Sequence, residues 1–355
     1  MYLRRSTTVK YVIAAFIGAV VYCEWFIYII QQQYWTELEC NEHDTTCKKI
    51  LFIADPQIQG DEAVPPPLSY LINWDSDRYL RSTFKVVVDY LKPDVLVYLG
   101  DLMDEGSIAT MPQFHGYAKR LASIFEWDFP AVQVWIPGDN DIGGENEPVR
   151  HNKIEEFEKV FKQPSIIVYS NISFYKVNAI TYTFPQKADE VPGLENNFKI
   201  AVSHYPVTEK YMFAYQVMKA INPDIFFCAH DHESKYVKQK KNLSQRKTTW
   251  LNGLRPVLNI SFDEESLYEV YVPTCSYRMG TSSIGYGAAV LENNQQNMRY
   301  TVFWSPTRFP YLILYLSMLV ILLLYCLVFC VARLCHRKST SIAKSADMSP
   351  LLQRI

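Results

Sequence analysis

Gly100-Asp101-Leu102-Met103-Asp104-Glu105-Gly106 stands directly behind the apolar run Val95-Leu96-Val97-Tyr98-Leu99. The abrupt change from apolar residues to acids and glycines marks the carboxyl end of a strand buried on both faces. The same change recurs along the chain. Lys48 to Ala54 is closed by Asp55-Pro56-Gln57, and Val132 to Ile136 by Gly138-Asp139-Asn140-Asp141. Strands over 198–203 and 224–228 end at Ser203-His204 and at His230-Asp231-His232. Strand carboxyl ends in open α/β sheets share a crevice where ligands bind. Carboxylates and neutral imidazoles gathered there suit divalent transition ions. A single aspartate after a strand is usually a turn former or helix cap; five such clusters together argue for a site.

Between these strands the spacing of Leu80, Phe84, Val87, Val88 and Leu91 predicts a helix from Asp77 to Leu91. Further helices are expected over 111–125, 150–162 and 209–221, with strands over 165–170 and 172–178. Residues 235–304 are strand-like, with a glycine-rich loop at 280–287. Three consecutive prolines make Gly60 to Pro67 a loop. The expected class is α/β: two packed mixed β-sheets flanked by helices.

In order and spacing, Asp55-Pro56-Gln57, the Gly100–Gly106 block, Gly138-Asp139-Asn140-Asp141, Ser203-His204 and Ala229-His230-Asp231-His232 resemble the calcineurin-like metallophosphoesterases. The family patterns are Asp-x-His, Gly-Asp-x-x-Asp-x-Gly, Gly-Asn-His-Asp, His and Gly-His-x-His. The resemblance implies a four-layer fold and two divalent ions, manganese first, with zinc or iron as alternatives. Asp55, Gln57, Asp101 and His232 would hold one ion; Asp101, Asp139, His204 and His230 would hold the other, with Asp101 bridging. Such a pair, roughly 3.5–4 Å apart, clamps phosphoryl oxygens and activates water for in-line attack. Asp104 and Asp141 read as residues that support the ligands or shape the loops.

Three positions depart from the family. Gln57 replaces a histidine, Ala229 replaces a glycine, and Asp139-Asn140 replaces Asn-His. Asn140 thus occupies the place of the catalytic histidine that protonates the leaving oxygen, and an amide cannot act as an acid. General acid help is worth roughly 100- to 10,000-fold. His115, His151 and Asp104 are the candidates for taking over that role.

At the two ends, apolar blocks at 11–30 and 310–332 are each long enough to cross a hydrocarbon core of roughly 30 Å. A cleaved signal peptide is the rival for the first, but bulky Trp25, Phe26 and Tyr28 stand where small residues would be wanted. Arg4, Arg5 and Lys10 precede the first block, and Arg333, Arg337 and Lys338 follow the second. Residues 1–10 and 333–355 are therefore expected in the cytoplasm, with a connector at 31–48 and a domain at 49–309 on the lumenal side. Sequons at Asn171, Asn242 and Asn259 and a closable Cys40–Cys47 loop agree with that placement. Glu24, inside the first block, is a functional or helix-pairing residue, or one that snorkels to the interface. Net charge is −2, which offers no basic field for nucleic acid.

Cys23-Glu24, Ser76-Asp77-Arg78-Tyr79, the Gly138–Gly143 block, His204-Tyr205-Pro206 and Pro273 to Gly280 narrow the resemblance. They are similar to the membrane-anchored metallophosphoesterases that remove ethanolamine phosphate from GPI anchors. That implies as substrate an ethanolamine-phosphate diester on a mannose of membrane-bound GPI-anchored proteins, cleaved in the ER or Golgi to aid their transport. The alternatives are a catalytically weak cargo-binding protein, or an enzyme for other lumenal phosphoesters. Tyr277, Arg278, Gly280 and Tyr286 are expected to line the pocket or to form a tight turn. In the tail, Asp347 to Leu352 matches an acidic di-leucine signal for endosomal or lysosomal sorting, and Cys335 is a candidate for palmitoylation.

Overall fold

The apolar runs that precede the acidic clusters form three neighbouring parallel strands, β1 (Lys48–Ile53), β2 (Val95–Tyr98) and β3 (Val132–Trp135). Their surroundings come from a computed structural model that describes residues 2–348 apart from Glu42, Leu194 and Asn293. Beyond β1 the sheet is antiparallel, adding β12 (Gly285–Glu292), β13 (Asn297–Trp304) and β10 (Val257–Ser261) in the order β10-β13-β12-β1-β2-β3.

The second sheet has seven strands. It consists of β4 (Ile166–Tyr169), β5 (Ile172–Lys176), β6 (Phe198–Val202), β7 (Ile225–Cys228), β11 (Ser266–Tyr271), β8 (Lys235–Lys240) and β9 (Lys247–Trp250), in that order. Within it β5, β6, β7 and β11 run parallel. The two sheets close on one another through a shared apolar core in which Phe52 of β1 stacks on Phe227 of β7, ring centroids 3.9 Å apart. Burial of this facing apolar surface stabilises the sandwich by roughly 25 cal/mol for each Å² removed from water.

Helices cover the outer faces. α7 (Tyr211–Ala220) lays Phe213, Ala214 and Val217 against Ala201 and Phe226 of the seven-stranded sheet. On the other sheet, α3 (Leu68–Leu91) bonds Thr83 to Tyr286 of β12, and Phe125, just past α4 (Met111–Ile124), packs its ring against Tyr98. The expected layering of helices around two mixed sheets is what the chain adopts.

Two boundaries differ most, and one short element was not anticipated. α3 begins at Leu68, not Asp77, because Pro67 sits at its N-cap, where a missing N–H costs nothing. Its first turns expose their apolar residues, so burial periodicity could not announce them. The expected loop 280–287 ends early, since Gly285 already opens β12. A short helix, α5 (Asp139–Ile142), was not anticipated; α6 (His151–Val160) lies within the expected 150–162.

Residues 1–24 with 308–355 form one unit and Trp25–Thr307 another. The first contains α1 (Tyr2–Val21) and α8 (Phe309–Met348). Val9–Tyr34 and Phe309–Leu334 are long and apolar enough to cross a membrane. Glu24 lies in a π-turn, Tyr22–Phe26, and accepts hydrogen bonds from Arg308, at 3.0 Å, and from the Tyr315 hydroxyl. That geometry is the helix-pairing role. Ser349 to Ile355, with Leu351-Leu352 of the sorting sequence, lie outside the described residues, as does the Cys335 side chain.

In the larger unit Cys40 and Cys47 are disulfide-bonded, and Asn171, Asn242 and Asn259 are all exposed. Truncating the stacked ring at the centre of the sandwich, Phe227→Ala, is expected to cost about 3–5 kcal/mol. Chemical unfolding of the full chain in detergent micelles measures this, and an unchanged midpoint would contradict the packing described.

Candidate metal centre

Each strand that ends in an acid or histidine delivers it to one place. β1 leads to Asp55 and Gln57, β2 to Asp101, β3 to Asp139 at the start of α5, β6 to His204, and β7 to His230 and His232. Asp55, Gln57, Asp101, His230 and His232 all have positive φ, between 41° and 71°. L-residues seldom adopt this conformation, and where they do the surrounding structure must hold them there. Here the turn at each strand end aims a polar side chain back over the crevice.

Two triads result: Asp139, His204 and His230 in one, Asp55, Asp101 and His232 in the other, each offering ligand atoms within 4.8 Å of one another. His204 Nε2 lies 3.0 Å from Asp139 Oδ1 and 3.3 Å from Asp101 Oδ1, so it touches both groups. His204 Nδ1 donates to the Leu99 carbonyl at 2.8 Å, which fixes the tautomer and leaves Nε2 facing the site.

The donor set fits divalent cations. Asp55 is fully buried, and neither of its carboxylate oxygens makes a well-formed hydrogen bond among the described residues. Burial pushes its carboxyl well above the usual range, against the pull of His204. Asp101 is raised to about 6, by burial first and by Asp139, with His204 opposing. Burial works against protonation of His204, but Asp101, Asp139 and Asp55 outweigh it and bring the ring up to about 10. His232 falls to about 4 through burial and the neighbouring His204 and His230, so its ring is neutral at neutral pH. Burial would raise Asp139, but hydrogen bonds from His204 and His230 outweigh it and lower its carboxyl. Three carboxylates in so dry a place need positive charge, and a pair of cations would supply what protons otherwise must.

Around the triads other side chains hold Asp101 in position. Asn140 donates twice to it, from its main-chain N–H at 3.0 Å and from Nδ2 at 2.9 Å. Gln57 Nε2 donates to Asp101 Oδ2 at 2.9 Å. In that orientation the amide nitrogen faces the site; a ligand role for Gln57 requires the amide turned over, bringing its oxygen to the same place. Asp141 accepts main-chain N–H bonds from Gly138, Leu102 and Met103 at 2.8, 3.2 and 3.0 Å, joining two of the strand-end loops. Burial and the Asp101 charge raise it to about 7. Asp104 is paired with Arg278 at 3.0 Å.

Some expected residues are elsewhere. His115 is exposed on α4, and His151 is exposed at the start of α6, paired with Glu155; neither belongs to the ligand groups found among the described residues. Tyr286 is fully buried and bonded to Thr83, and Tyr277 is buried and gives its hydroxyl to Asp75, so both hydroxyls are engaged within the core. Of the expected lining residues Arg278 reaches the rim, donating to the Gln57 carbonyl at 3.0 Å. Tyr205 was missed as a site residue in its own right. Its ring lies 4.1 Å from that of His230, and its phenol is pushed up by burial and by Asp139. Its position beside His204 in sequence was the available signal.

In the metal-free site His204 holds a proton up to about 10 and Asp101 one up to about 6, and a cation must displace both, so manganese affinity of the full chain should fall about tenfold per pH unit below about 10 and more steeply below about 6. Calorimetric titration reads this, and an affinity independent of pH between about 7 and 5 would contradict it. A Cβ at Gly138 would lie 2.1 Å from Asp101 Oδ1. Gly138→Ala should therefore weaken metal binding about 10- to 100-fold while the circular dichroism spectrum stays unchanged.

The calcineurin-like phosphoesterase family model matches residues 48–234, more than half of the chain. Among curated relatives, metallophosphoesterase 1 of Cricetulus griseus is 27% identical over 169 residues, 46% of this chain and 42% of that protein. Its Danio rerio namesake is 28% identical over 172 residues, 47% of this chain and 44% of that protein. The chain thus spans less than half the length of these relatives. Among solved structures, a metallophosphoesterase from Sphaerobacter thermophilus aligns with a TM-score of 0.36 at 15% identity, covering 72% of this chain and 87% of that one. PhoD aligns with a TM-score of 0.38 at 10% identity, covering 72% and 66%. On the family match, which takes in all five strand-end clusters from Asp55 to His232, the chain belongs to the calcineurin-like phosphoesterases.

Proposed function

We propose that the protein is a membrane-anchored, metal-dependent phosphodiesterase of the secretory pathway that removes ethanolamine phosphate from a mannose of GPI anchors. The observation that carries the phosphoesterase part is the meeting of two ligand triads at Asp101 and His204. The membrane part is supported by the two apolar helices, and the lumenal placement by the Cys40–Cys47 bond and the three exposed sequon asparagines. The substrate rests on the sequence resemblance of the first anchor, the His204-Tyr205-Pro206 block and the Pro273–Gly280 segment. A pair of divalent ions, manganese by that same resemblance, would polarise the phosphoryl oxygens and activate water.

The chain's own residues would do the rest. Asp55, Asp101 and His232 would hold one ion, and Asp139, His204 and His230 the other. Leu99 orients His204, and Asn140 and Gln57 steady Asp101 between the triads. Arg278 at the rim keeps the Gln57 and Asp104 loops in register. Asn140 spends its amide on Asp101 and has no proton to release, so it would not protonate the leaving oxygen.

The last point favours a second reading, a protein that binds GPI-anchored cargo and turns over slowly. Manganese-loaded full chain in micelles, given a GPI glycan bearing ethanolamine phosphate, is expected to release that group, with Asp101→Asn inactive. An intact glycan would remove the substrate assignment. Asn140→His should raise kcat by roughly 100-fold or more; no gain would favour the cargo-binding reading.

A further inference from the structure

The span Val9–Tyr34 does not stop at the boundary between the two units. Its last ten residues, Trp25 to Tyr34, belong to the same unit as the metal centre. Within that unit Tyr28, on α2 (Ile27–Gln31), packs edge-on against Tyr79 of α3, ring centroids 6.2 Å apart. Arg255 donates to the Gln33 carbonyl at 2.7 Å. Trp35 donates to the Trp304 carbonyl, and Trp304 in turn to that of Gly253, each at 2.8 Å. The end of the span is therefore clasped by α3 on one side and by the loop around Gly253–Arg255 on another.

Both clasping elements expose large apolar side chains. On the first two turns of α3, Leu68, Tyr70, Leu71 and Trp74 are 56–68% exposed, and in the loop Leu254 is 71% exposed. Trp74 precedes Tyr79 by five residues and Leu68 by eleven, so these side chains lie roughly 7–17 Å along the helix from the clasp. Trp25, Phe26, Ile29 and Tyr34 of the span end are exposed as well. Cationic groups accompany them: Arg78 lies over the Trp74 ring at 5.3 Å, and Arg255 adjoins Leu254. Tryptophan, tyrosine and leucine mixed with arginine is the composition that settles at the boundary between headgroups and acyl chains. A patch of this kind on a soluble face would be a liability.

We propose that the first two turns of α3, together with Leu254, form a lipid-docking surface that lies in the bilayer interface beside the end of the first span. The docked surface is tied to the metal centre. Glu105, in the Gly100–Gly106 block, accepts the main-chain N–H groups of Glu62 at 3.0 Å and Ala63 at 2.7 Å, just ahead of α3. Behind Trp74, Asp75 accepts the Tyr277 hydroxyl at 2.9 Å, and the next residue, Arg278, holds the Gln57 carbonyl. Seating α3 in the interface therefore fixes the height of the ligand loops above the membrane, where a phosphodiester carried on a lipid-linked headgroup is found. The inference rests on the membrane placement in the proposed function and not on its substrate.

The test uses nitroxide labels on the full chain in phosphatidylcholine nanodiscs, with Cys326, Cys330 and Cys335 changed to serine. Labels go at Leu71→Cys, Leu254→Cys, Met212→Cys and Ile321→Cys, and collisions with oxygen and with a water-soluble nickel chelate are compared. Met212 is equally apolar and exposed but lies on α7, over the other sheet. Labels at 71 and 254 are expected to favour oxygen over the chelate by several-fold, the label at 321 to do so more strongly, and that at 212 to show the reverse. If 321 is lipid-exposed while 71 and 254 resemble 212, the docking surface is refuted and the membrane placement stands. Shielding of 71 and 254 from both reagents would refute it in favour of a protein partner. Chelate access at 321 would overturn the membrane placement and the docking surface together.

Discussion

Everything at the functional end of this molecule is arranged around the Asp101 carboxylate. Asn140 and Gln57 grip it from one side, His204 approaches it from the opposite sheet, and Asp139 and Asp55 crowd it with like charge. A carboxylate in such a place is unfavourable unless it is hydrogen-bonded and neutralised. The fold meets that demand by bringing imidazoles from β6 and β7 over carboxylates from β1, β2 and β3. Phe52 on Phe227 is the apolar counterpart of the same contact, one layer below. The core brings the sheets together, and the polar strand ends inherit their proximity.

The turns bear the conformational cost. Five residues of the centre have left-handed backbones, and Gly138 is bare because a side chain there would collide with Asp101. Such turns are poor choices for stability alone, and their concentration at one edge of a sandwich is the physical signature of a site. Asp141 shows how the loops are kept there. Among the described residues it pairs with no opposite charge and instead joins three main-chain N–H groups of two loops.

Much of this was legible in the chain. The strands announced themselves because each carries a mostly apolar run that ends abruptly in acids or histidines, and their parallel order placed those ends together. What was hidden had no periodic trace. The first turns of α3 turn apolar residues outward, so a pattern that equates apolar with buried could not extend the helix back to Leu68. Tyr286 and Tyr277 were expected to line a pocket or to belong to a tight turn; their hydroxyls are spent on Thr83 and Asp75 instead. The role of Asn140 shows the same limit. Sequence spacing placed it beside the ligands, but only coordinates reveal that both of its donors are committed to Asp101.

The ligand arrangement requires cations seated between the two sheets. Diffraction from manganese-loaded full-length protein, recorded at the manganese absorption edge, tests that most directly. It should show anomalous peaks at the two triads, one against Asp55, Asp101 and His232 and one against Asp139, His204 and His230. Absence of peaks there at saturating manganese, or peaks only at other surfaces, would contradict it.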